Sequence, residues 1–368
     1  MMRRLGILLL MLLVAGRVGA QCVDWPDWEH FKQDYISEEG RVIDPYEGKN
    51  ITTSEGQSYG LFFALVANDR PMFDRLLGWT ENNLAAGDLT QRLPAWLWGK
   101  EEKSGKWQVL DENSASDADL WIGWTLLEAS RLWQSRSYQV TGTLLLNRVA
   151  KEEVANLKGF GLMLLPGKTG FSQPDSWMVN PSYLPLQLLT RVSQLKGPWP
   201  EINRNALRLL QDTAPKGFAP DWSIWQNGSW RPDKTKGPTG GYDAIRVYLW
   251  AGMLSDEDPR KATLLAHFAP MARLTEESGN PPERVNIETG QMTNHGNVGF
   301  SAALLPFLQG SYALTAQQQR VEQEPPGSDA YYSSVLNLFG SGWNDNRYRF
   351  TAQGDLLPAW DSQCVTSD

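Results

Sequence analysis

Two kinds of helical segment alternate along this chain, and that alternation sets the narrowest limit on what it can fold into. Six segments are apolar: Ser54–Ala67 (SEGQSYGLFFALVA), Ser116–Trp133, Pro181–Leu195 (PSYLPLQLLTRVSQL), Tyr242–Leu254 (YDAIRVYLWAGML), Asn297–Leu308 (NVGFSAALLPFL) and Ser328–Phe339 (SDAYYSSVLNLF). Most are apolar nearly all round, which calls for burial on every side. The others carry charged faces: Trp28–Ile36, Pro71–Leu84, Tyr138–Val154, Trp199–Asp212, Pro259–Glu277 and a weaker Thr315–Glu322. The pattern predicts an all-α fold, and six enclosed helices ringed by six enclosing ones describe an (α/α)6 barrel. Connections at Thr90–Asn113 and Asp221–Gly241 are long and carry Trp, Gly and Pro; loops of that length usually have a functional role. A few short strands are expected between helices, at Trp107–Leu110 and Arg347–Phe350. No composition break or low-complexity linker interrupts the chain, so residues 21–368 are read as a single barrel domain.

Three apolar segments open on acids: Glu55, Asp117 with Asp119, and Asp243. In Ala115-Ser116-Asp117-Ala118-Asp119-Leu120-Trp121, Ser116 reads as the N-cap. The two carboxylates fall in the first turn, where backbone N–H groups are unpaired. A lone acid in such a turn is ordinarily a cap. If the inner helices run parallel, however, the acids of three helix starts converge on one rim. Cleaving a glycosidic bond needs a carboxylic acid to protonate the leaving oxygen and a carboxylate to act as base or nucleophile. Glu55, flanked by Gly56, Tyr59 and Phe62, is expected to lose water, which raises a carboxyl pKa and keeps the proton on. Asp243, one turn before Arg246, is expected to stay ionised. Opposite environments of this kind mark an acid and a base.

Sugar rings pack their C–H faces on flat side chains, and the chain has 17 Trp. Candidate platforms on loops are Trp96 and Trp98 (RLPAWLWGK), Trp107, Trp177 and Tyr183. Trp121, Trp124 and Trp133 fall within one helical segment and read as packing.

The first 20 residues read as a secretory signal: Arg3 and Arg4, an apolar run from Leu5 to Ala15, and Val18-Gly19-Ala20 as a small-residue cleavage site. That run is too short to span a bilayer. Gln21 precedes Cys22, so the cut does not expose a cysteine for lipid attachment. The chain is expected to be exported, periplasmic or secreted, with no membrane insertion. Loss of Arg3, Arg4 and Arg17 takes the net charge from −8 to −11, which argues against nucleic acid or anionic lipid as partners. Cys22 and Cys364 are the two cysteines; an oxidising compartment favours a bridge between them. Two cysteines cannot build a Cys-rich zinc site. His30, His267 and His295 are scattered, and neither HExxH nor GxSxG occurs. No metal or cofactor is expected.

Ala115-Ser116-Asp117-Ala118-Asp119, followed by Ile122, Leu126, Ala129 and Trp133, resembles the signature of glycoside hydrolase family 8. Gly123 stands where that signature usually has Ala, and Thr125 where it has Ser or Ala. Ser54-Glu55-Gly56-Gln57-Ser58-Tyr59-Gly60 resembles the family's general-acid segment, and Tyr242-Asp243-Ala244-Ile245-Arg246 its general-base segment. Asn180-Pro181-Ser182-Tyr183 resembles a sugar-contacting one. The resemblance runs in order from about Trp25 to Trp360. It implies an (α/α)6 barrel and an endo-β-1,4-glucanase that cuts cellulose with inversion, in support of bacterial cellulose biosynthesis. β-1,4-Glucan chains are then the substrate and the cellulose synthase complex a partner. On this resemblance Glu55 is the acid and Asp243 the base. Asp117 holds the distorted sugar rather than attacking it, because an inverting enzyme forms no covalent intermediate. Trp96, Trp98, Tyr183, Tyr242, Arg246 and Asp119 contact substrate.

Two other readings stay open at this level. A non-catalytic glucan-binding scaffold of an exopolysaccharide export system would use the aromatics but has no need of Glu55 and Asp243. A polysaccharide lyase on a helical toroid would rely on Tyr, His or Lys acting on uronic acids, and the surplus acidic charge would repel such a polymer.

Overall fold

The computed structural model describes residues 24–363. The signal segment, Cys22 and Cys364 lie outside the described residues, and so does the bridge expected between the two cysteines. The helices in chain order are α1 (Pro26–Tyr35), α2 (Ser54–Val66), α3 (Arg70–Leu84), α4 (Ser116–Trp133), α5 (Arg136–Glu152), α6 (Leu186–Val192), α7 (Trp199–Asp212), α8 (Ile245–Met253), α9 (Pro259–His267), α10 (Ala269–Ser278), α11 (Val298–Leu304), α12 (Leu314–Gln323), α13 (Tyr331–Asn344) and α14 (Ala359–Gln363). The inner ring follows the order α2, α4, α6, α8, α11, α13, each packed on the next. Phe339 of α13 closes the ring against α2, 5.3 Å from Phe62 and 4.7 Å from Phe63 between ring centroids. Outside it, α3 covers α2, α5 covers α4, α7 covers α6, α9 covers α8, α12 covers α11 and α1 covers α13. This is the (α/α)6 barrel.

Burial follows the two sequence classes. Every residue of α4 from Ser116 to Ala129 is buried, whereas α7 buries one stripe through Trp199, Ile202, Ala206, Leu209 and Leu210. The barrel axis is filled by rings rather than by aliphatic layers. Trp121 lies 5.3 Å from Trp250 and 5.5 Å from Phe339, and Tyr59 lies 5.0 Å from Phe339. Such pairs add roughly 0.5–1.5 kcal/mol each beyond their area, and they close the barrel from within. Trp121 and Trp124 are thus packing residues, as expected. Gly123 has a packing reason too: an added Cβ would sit 2.5 Å from Leu146 of α5. Leu146 occupies the space an alanine there would fill.

Several boundaries differ from the expected ones. Ser116 is the first helical residue of α4 and not its cap; Ala115 precedes it, without a side-chain cap. The segment Pro181–Leu195 splits into a 3-10 turn at Pro181–Tyr183 and then α6. Pro185 lies at that break because it lacks the N–H that a continuous helix would need. Asn297–Leu308 ends its helix at Leu304, ahead of Pro306. Pro259–Glu277 becomes α9 and α10, with Pro270 in the first turn of the second. Helix α8 starts at Ile245, so Tyr242 and Asp243 precede it. The last inner helix starts at Tyr331 and runs on to Asn344.

Small sheets occupy the connections. Thr52–Thr53 pairs with Leu97–Lys100, which pairs with Trp107–Asp111. Tyr348–Phe350 pairs with Leu356–Pro358. A four-stranded sheet joins Ser172–Gln173, Ser176–Val179, Ser223–Gln226 and Ser229–Pro232. The first of these sheets ends at Thr53, immediately before α2. No helix among the described residues is long and apolar enough to cross a membrane.

Candidate active site

Three helix starts deliver their acids to one rim of the barrel. Glu55 stands in the first turn of α2, Asp117 in the first turn of α4, and Asp243 in the turn before α8. Arg246, in the first turn of α8, ties two of them together. Its Nη1 donates to Glu55 Oε2 at 2.6 Å, and its Nη2 donates to Asp243 Oδ1 at 3.0 Å. The guanidinium is 4% exposed, while the Glu55 and Asp243 side chains are 28% and 31% exposed. A sealed cation thus carries two acids that still face solvent. Asp117 is buried, with its Oδ1 accepting the Ala118 N–H at 2.8 Å. Its Oδ2 has no donor among the described residues, and its carboxyl group faces that of Glu55.

The supporting residues come from three further segments and from α8 itself. Asp221 Oδ1 accepts the N–H groups of Gly241, Asp243 and Ala244 at 2.8, 3.1 and 2.8 Å. That grip caps the turn that carries Asp243 ahead of α8. Trp222 Nε1 donates to Asp243 Oδ2 at 3.1 Å. Ser182 Oγ accepts from Arg246 Nη2 at 3.1 Å and donates to Asn180 Oδ1 at 2.7 Å. Trp250 Nε1 fixes the Ser182 carbonyl at 2.9 Å. On α13, Tyr331 packs over the start of α2 so closely that a Cβ on Gly56 would lie 2.4 Å from its hydroxyl. Gly56 is therefore what lets α13 approach the acid-bearing turn. Tyr332 donates to the Tyr242 carbonyl at 2.6 Å. Of these, Asp221, Trp222, Tyr331 and Tyr332 carry no helical or strand period that would single them out. Their available signals were position alone: the head of a long connection, and a tyrosine pair at the last inner helix.

The expected electrostatic split between Glu55 and Asp243 is not what the geometry produces. One guanidinium serves both acids. Asp243 is pushed above the ordinary carboxylate range by burial in the cleft, a pressure that Arg246 opposes. Asp117 lies well above that range, first because it is buried and then because the Glu55 charge stands beside it. A proton is consequently kept at the Asp117–Glu55 contact.

Tyr183 lies with its ring 5.9 Å from the Arg246 guanidinium and edge-on to Trp222 at 6.2 Å. Burial, and then the acids Asp117, Glu55 and Asp243 beside it, push its phenol well above the ordinary value. Tyr242 is 40% exposed on the rim. Trp96 lines a cavity of about 640 Å³ with Tyr46, Lys49, Ile51, Leu97 and Leu110, and its carbonyl accepts the Ser54 N–H beside the start of α2. Trp98 is placed otherwise. It stacks on Trp107 at 5.2 Å, meets Trp79 edge-on at 5.4 Å, and lies under the Arg41 guanidinium at 4.5 Å. Trp98, like Trp96, stays half-buried, with part of its surface taken by that stack.

Asp119 requires a correction. It is fully buried and faces Glu153, not the cleft. Both Asp119 oxygens and Glu153 Oε2 lack an N–H or O–H donor among the described residues. Glu153 Oε1 accepts from Ser114 Oγ. Two acids in that position share a proton. Burial pushes Glu153 up to about 8 and Asp119 well above its ordinary value. Two residues along an α-helix turn about 200° around its axis, which points Asp117 towards the cleft and Asp119 into the wall.

Comparison with known proteins agrees with this arrangement. The family model described as glycosyl hydrolases family 8 matches residues 2–346. An endoglucanase of Escherichia coli (strain K12) is 54% identical over 365 residues, covering 99% of each chain. The crystal structure of an endo-1,4-D-glucanase from Vibrio fischeri ES114 superposes with a TM-score of 0.88 at 48% identity, over 92% of this chain and 99% of that one. An endo-β-1,4-glucanase from Acetobacter xylinum superposes with a TM-score of 0.71 at 26% identity, over 86% of this chain and 95% of that one.

Proposed function

This chain belongs to glycosyl hydrolases family 8, and from that premise we propose that it cuts β-1,4-glucan by single displacement with Glu55 as acid and Asp243 as base. It is an endoglucanase, a glycoside hydrolase that works within the chain of its substrate. The observation that supports the residue roles is the Arg246 bridge: one buried guanidinium holds Glu55 and Asp243 on its two terminal nitrogens and so orders both acids at one point of the cleft. Inversion requires a water between the acid and the base.

Bond making and breaking then balance as follows. Asp243 takes a proton from water as the water oxygen bonds to the anomeric carbon. The bond from that carbon to the leaving glycosidic oxygen breaks, and Glu55 delivers a proton to that oxygen. The proton that Glu55 delivers is the one kept at the Asp117–Glu55 contact, and Asp117, left ionised, accepts a hydrogen bond from the distorted sugar at the point of cleavage. Arg246 orders both acids. Tyr183, Trp96 and Tyr242 line the path of the glucan, their rings suited to sugar faces. Asp119 and Trp98 are assigned to the supporting wall.

Residues 1–20 support export of the chain, and we read its place of work as the periplasm or the medium, beside a cellulose synthase. The decisive experiment is proton NMR of the first product from a soluble β-1,4-glucan. The α-anomer is expected. A β-anomer appearing first would remove Asp243 from the base role, because retention requires a nucleophile at closer range.

A further inference from the structure

Asp243 is held from two sides. Arg246 Nη2 takes Oδ1 at 3.0 Å, and the indole N–H of Trp222 takes Oδ2 at 3.1 Å. Two donors on different oxygens fix the plane of a carboxylate, and the lone pairs left over define where a water can be deprotonated. Arg246 is shared with Glu55, so it cannot by itself discriminate the base from the acid. Trp222 can, because its N–H reaches Asp243 alone among the acids of the site.

The ring that carries this N–H is itself locked. Lys236 Nζ lies 3.8 Å from the Trp222 ring centroid, and the Phe171 ring runs parallel to it, 6.1 Å away at 8°. Tyr183 meets it edge-on. Asp221, the preceding residue, is anchored by three backbone N–H groups of the very turn that carries Asp243. Donor and acceptor are thus fixed to one rigid unit, the condition under which a hydrogen bond positions rather than merely tethers.

We propose that Trp222 is a positioning residue for Asp243: its indole N–H sets the orientation of the base and favours the ionised form that accepts the proton of water. This rests on Asp243 being the base. The groups facing Asp243 are Arg246 of α8, Asp221 of the preceding loop, Glu55 of α2, the Asn180 side chain, Tyr183 and Tyr332, with Lys236 over the Trp222 ring. Trp222→Phe leaves a ring under Lys236 and beside Tyr183, so a displaced acid limb in that variant reports the lost donor. An N–H bonded to a carboxylate lowers its pKa, and removing it moves the limb to higher pH.

The test compares Trp222→Phe, which keeps a ring and loses the N–H, with Trp222→Gln, which keeps an N–H and loses the ring. Steady-state kinetics on a cello-oligosaccharide supply kcat, KM and the pH profile of kcat/KM. For Trp222→Phe, kcat is expected to fall about 10-fold or more with KM within about 2-fold, and the acid limb to rise by roughly one pH unit. Trp222→Gln is expected to retain more kcat than Trp222→Phe. The opposite order, or a raised KM with unchanged kcat, would make Trp222 a sugar platform and overturn the proposal. An equal fall at all pH values would make it a structural residue and overturn it as well. Asp243→Asn serves as the separate control. If that variant keeps its turnover, the base assignment fails whatever Trp222 does. Should Trp222→Phe not fold, Trp222→Gln against wild type carries the pH measurement alone, with a limb close to wild type expected and a displaced one overturning.

Discussion

Helix α4 has an acid cluster at each end, and an arginine bridges two acids in both. At the rim, Arg246 joins Glu55 to Asp243 beside Asp117. At the far end, Arg191 joins Glu128 to Asp355 at 2.8 and 2.9 Å. The likeness stops at satisfaction. Glu128 is fully buried, and its oxygens also accept from Arg131 at 3.0 and 2.7 Å and from the Leu356 N–H at 2.9 Å. Asp117 leaves an oxygen without a donor, and Glu55 and Asp243 remain part exposed. A buried acid that is fully bonded has nothing left to give a substrate, so the far cluster staples the Tyr348–Phe350 hairpin to α4. An acid left short of partners is poised for chemistry.

That contrast breaks if the two ends respond alike to loss of charge. Glu55→Gln is expected to fold normally and to lose about 10² to 10⁴ in turnover, since an amide has no proton for the leaving oxygen. Retention of more than roughly a tenth of wild-type activity would take the acid role from Glu55. Glu128→Gln is expected to do the reverse. It leaves Arg131 without its acid and Arg191 with Asp355 alone, and costs about 3 kcal/mol of stability, read from urea unfolding, while kcat of the folded protein stays within about 2-fold at low temperature.

The Asp119–Glu153 pair sharpens the same contrast, because it is buried and under-satisfied yet faces away from the cleft. Its folded pKa values are raised, so the stability it confers is complete below the unfolded carboxylate value and is lost as pH rises. For Glu153 the window runs from 4.5 to about 8. Stability at pH 8.5 is expected to fall short of that at pH 5 by on the order of 4 kcal/mol. Asp119→Asn, which donates without titrating, is expected to flatten that slope in urea titrations at the two pH values. An unchanged slope would place the titrating group elsewhere.

The smallest effects separate the two tryptophans of RLPAWLWGK. Trp96→Ala is expected to raise KM for cello-oligosaccharides several-fold with little change in melting temperature, as loss of an aromatic platform does. Trp98→Ala is expected to lower stability by about 1–2 kcal/mol through the stack with Trp79, Trp107 and Arg41, leaving KM nearly unchanged. Equal behaviour of the pair would mean that neither lines the path of the glucan.

Much of this was legible in the chain. Helix α4 and helix α7 start and end where the apolar period does, because an all-apolar or one-sided helix writes its burial into consecutive residues. Convergence of three acid-bearing helix starts also followed from the pattern. The breaks at Pro185, Pro270 and Pro306 were readable but were overridden by the apolar runs around them. The support of Asp243 was not readable: Asp221, 22 residues earlier, caps the three N–H groups that the start of a helix leaves without acceptors. No local propensity encodes a contact across such a loop.

Local sequence, then, determined which segments must be enclosed, where most helices begin, and which acids stand at those beginnings, since each follows from period and capping within a few residues. Only the tertiary structure decided how each acid is used. Asp117 and Asp119 are two residues apart with the same side chain, yet one faces Glu55 and the other Glu153. Glu55 is brought across 191 residues onto the Arg246 guanidinium, which also holds Asp243. Whether an acid is satisfied, shared or left open depends on what the other helices bring to it. That is settled by packing, where burial and the scarcity of donors fix the protonation state.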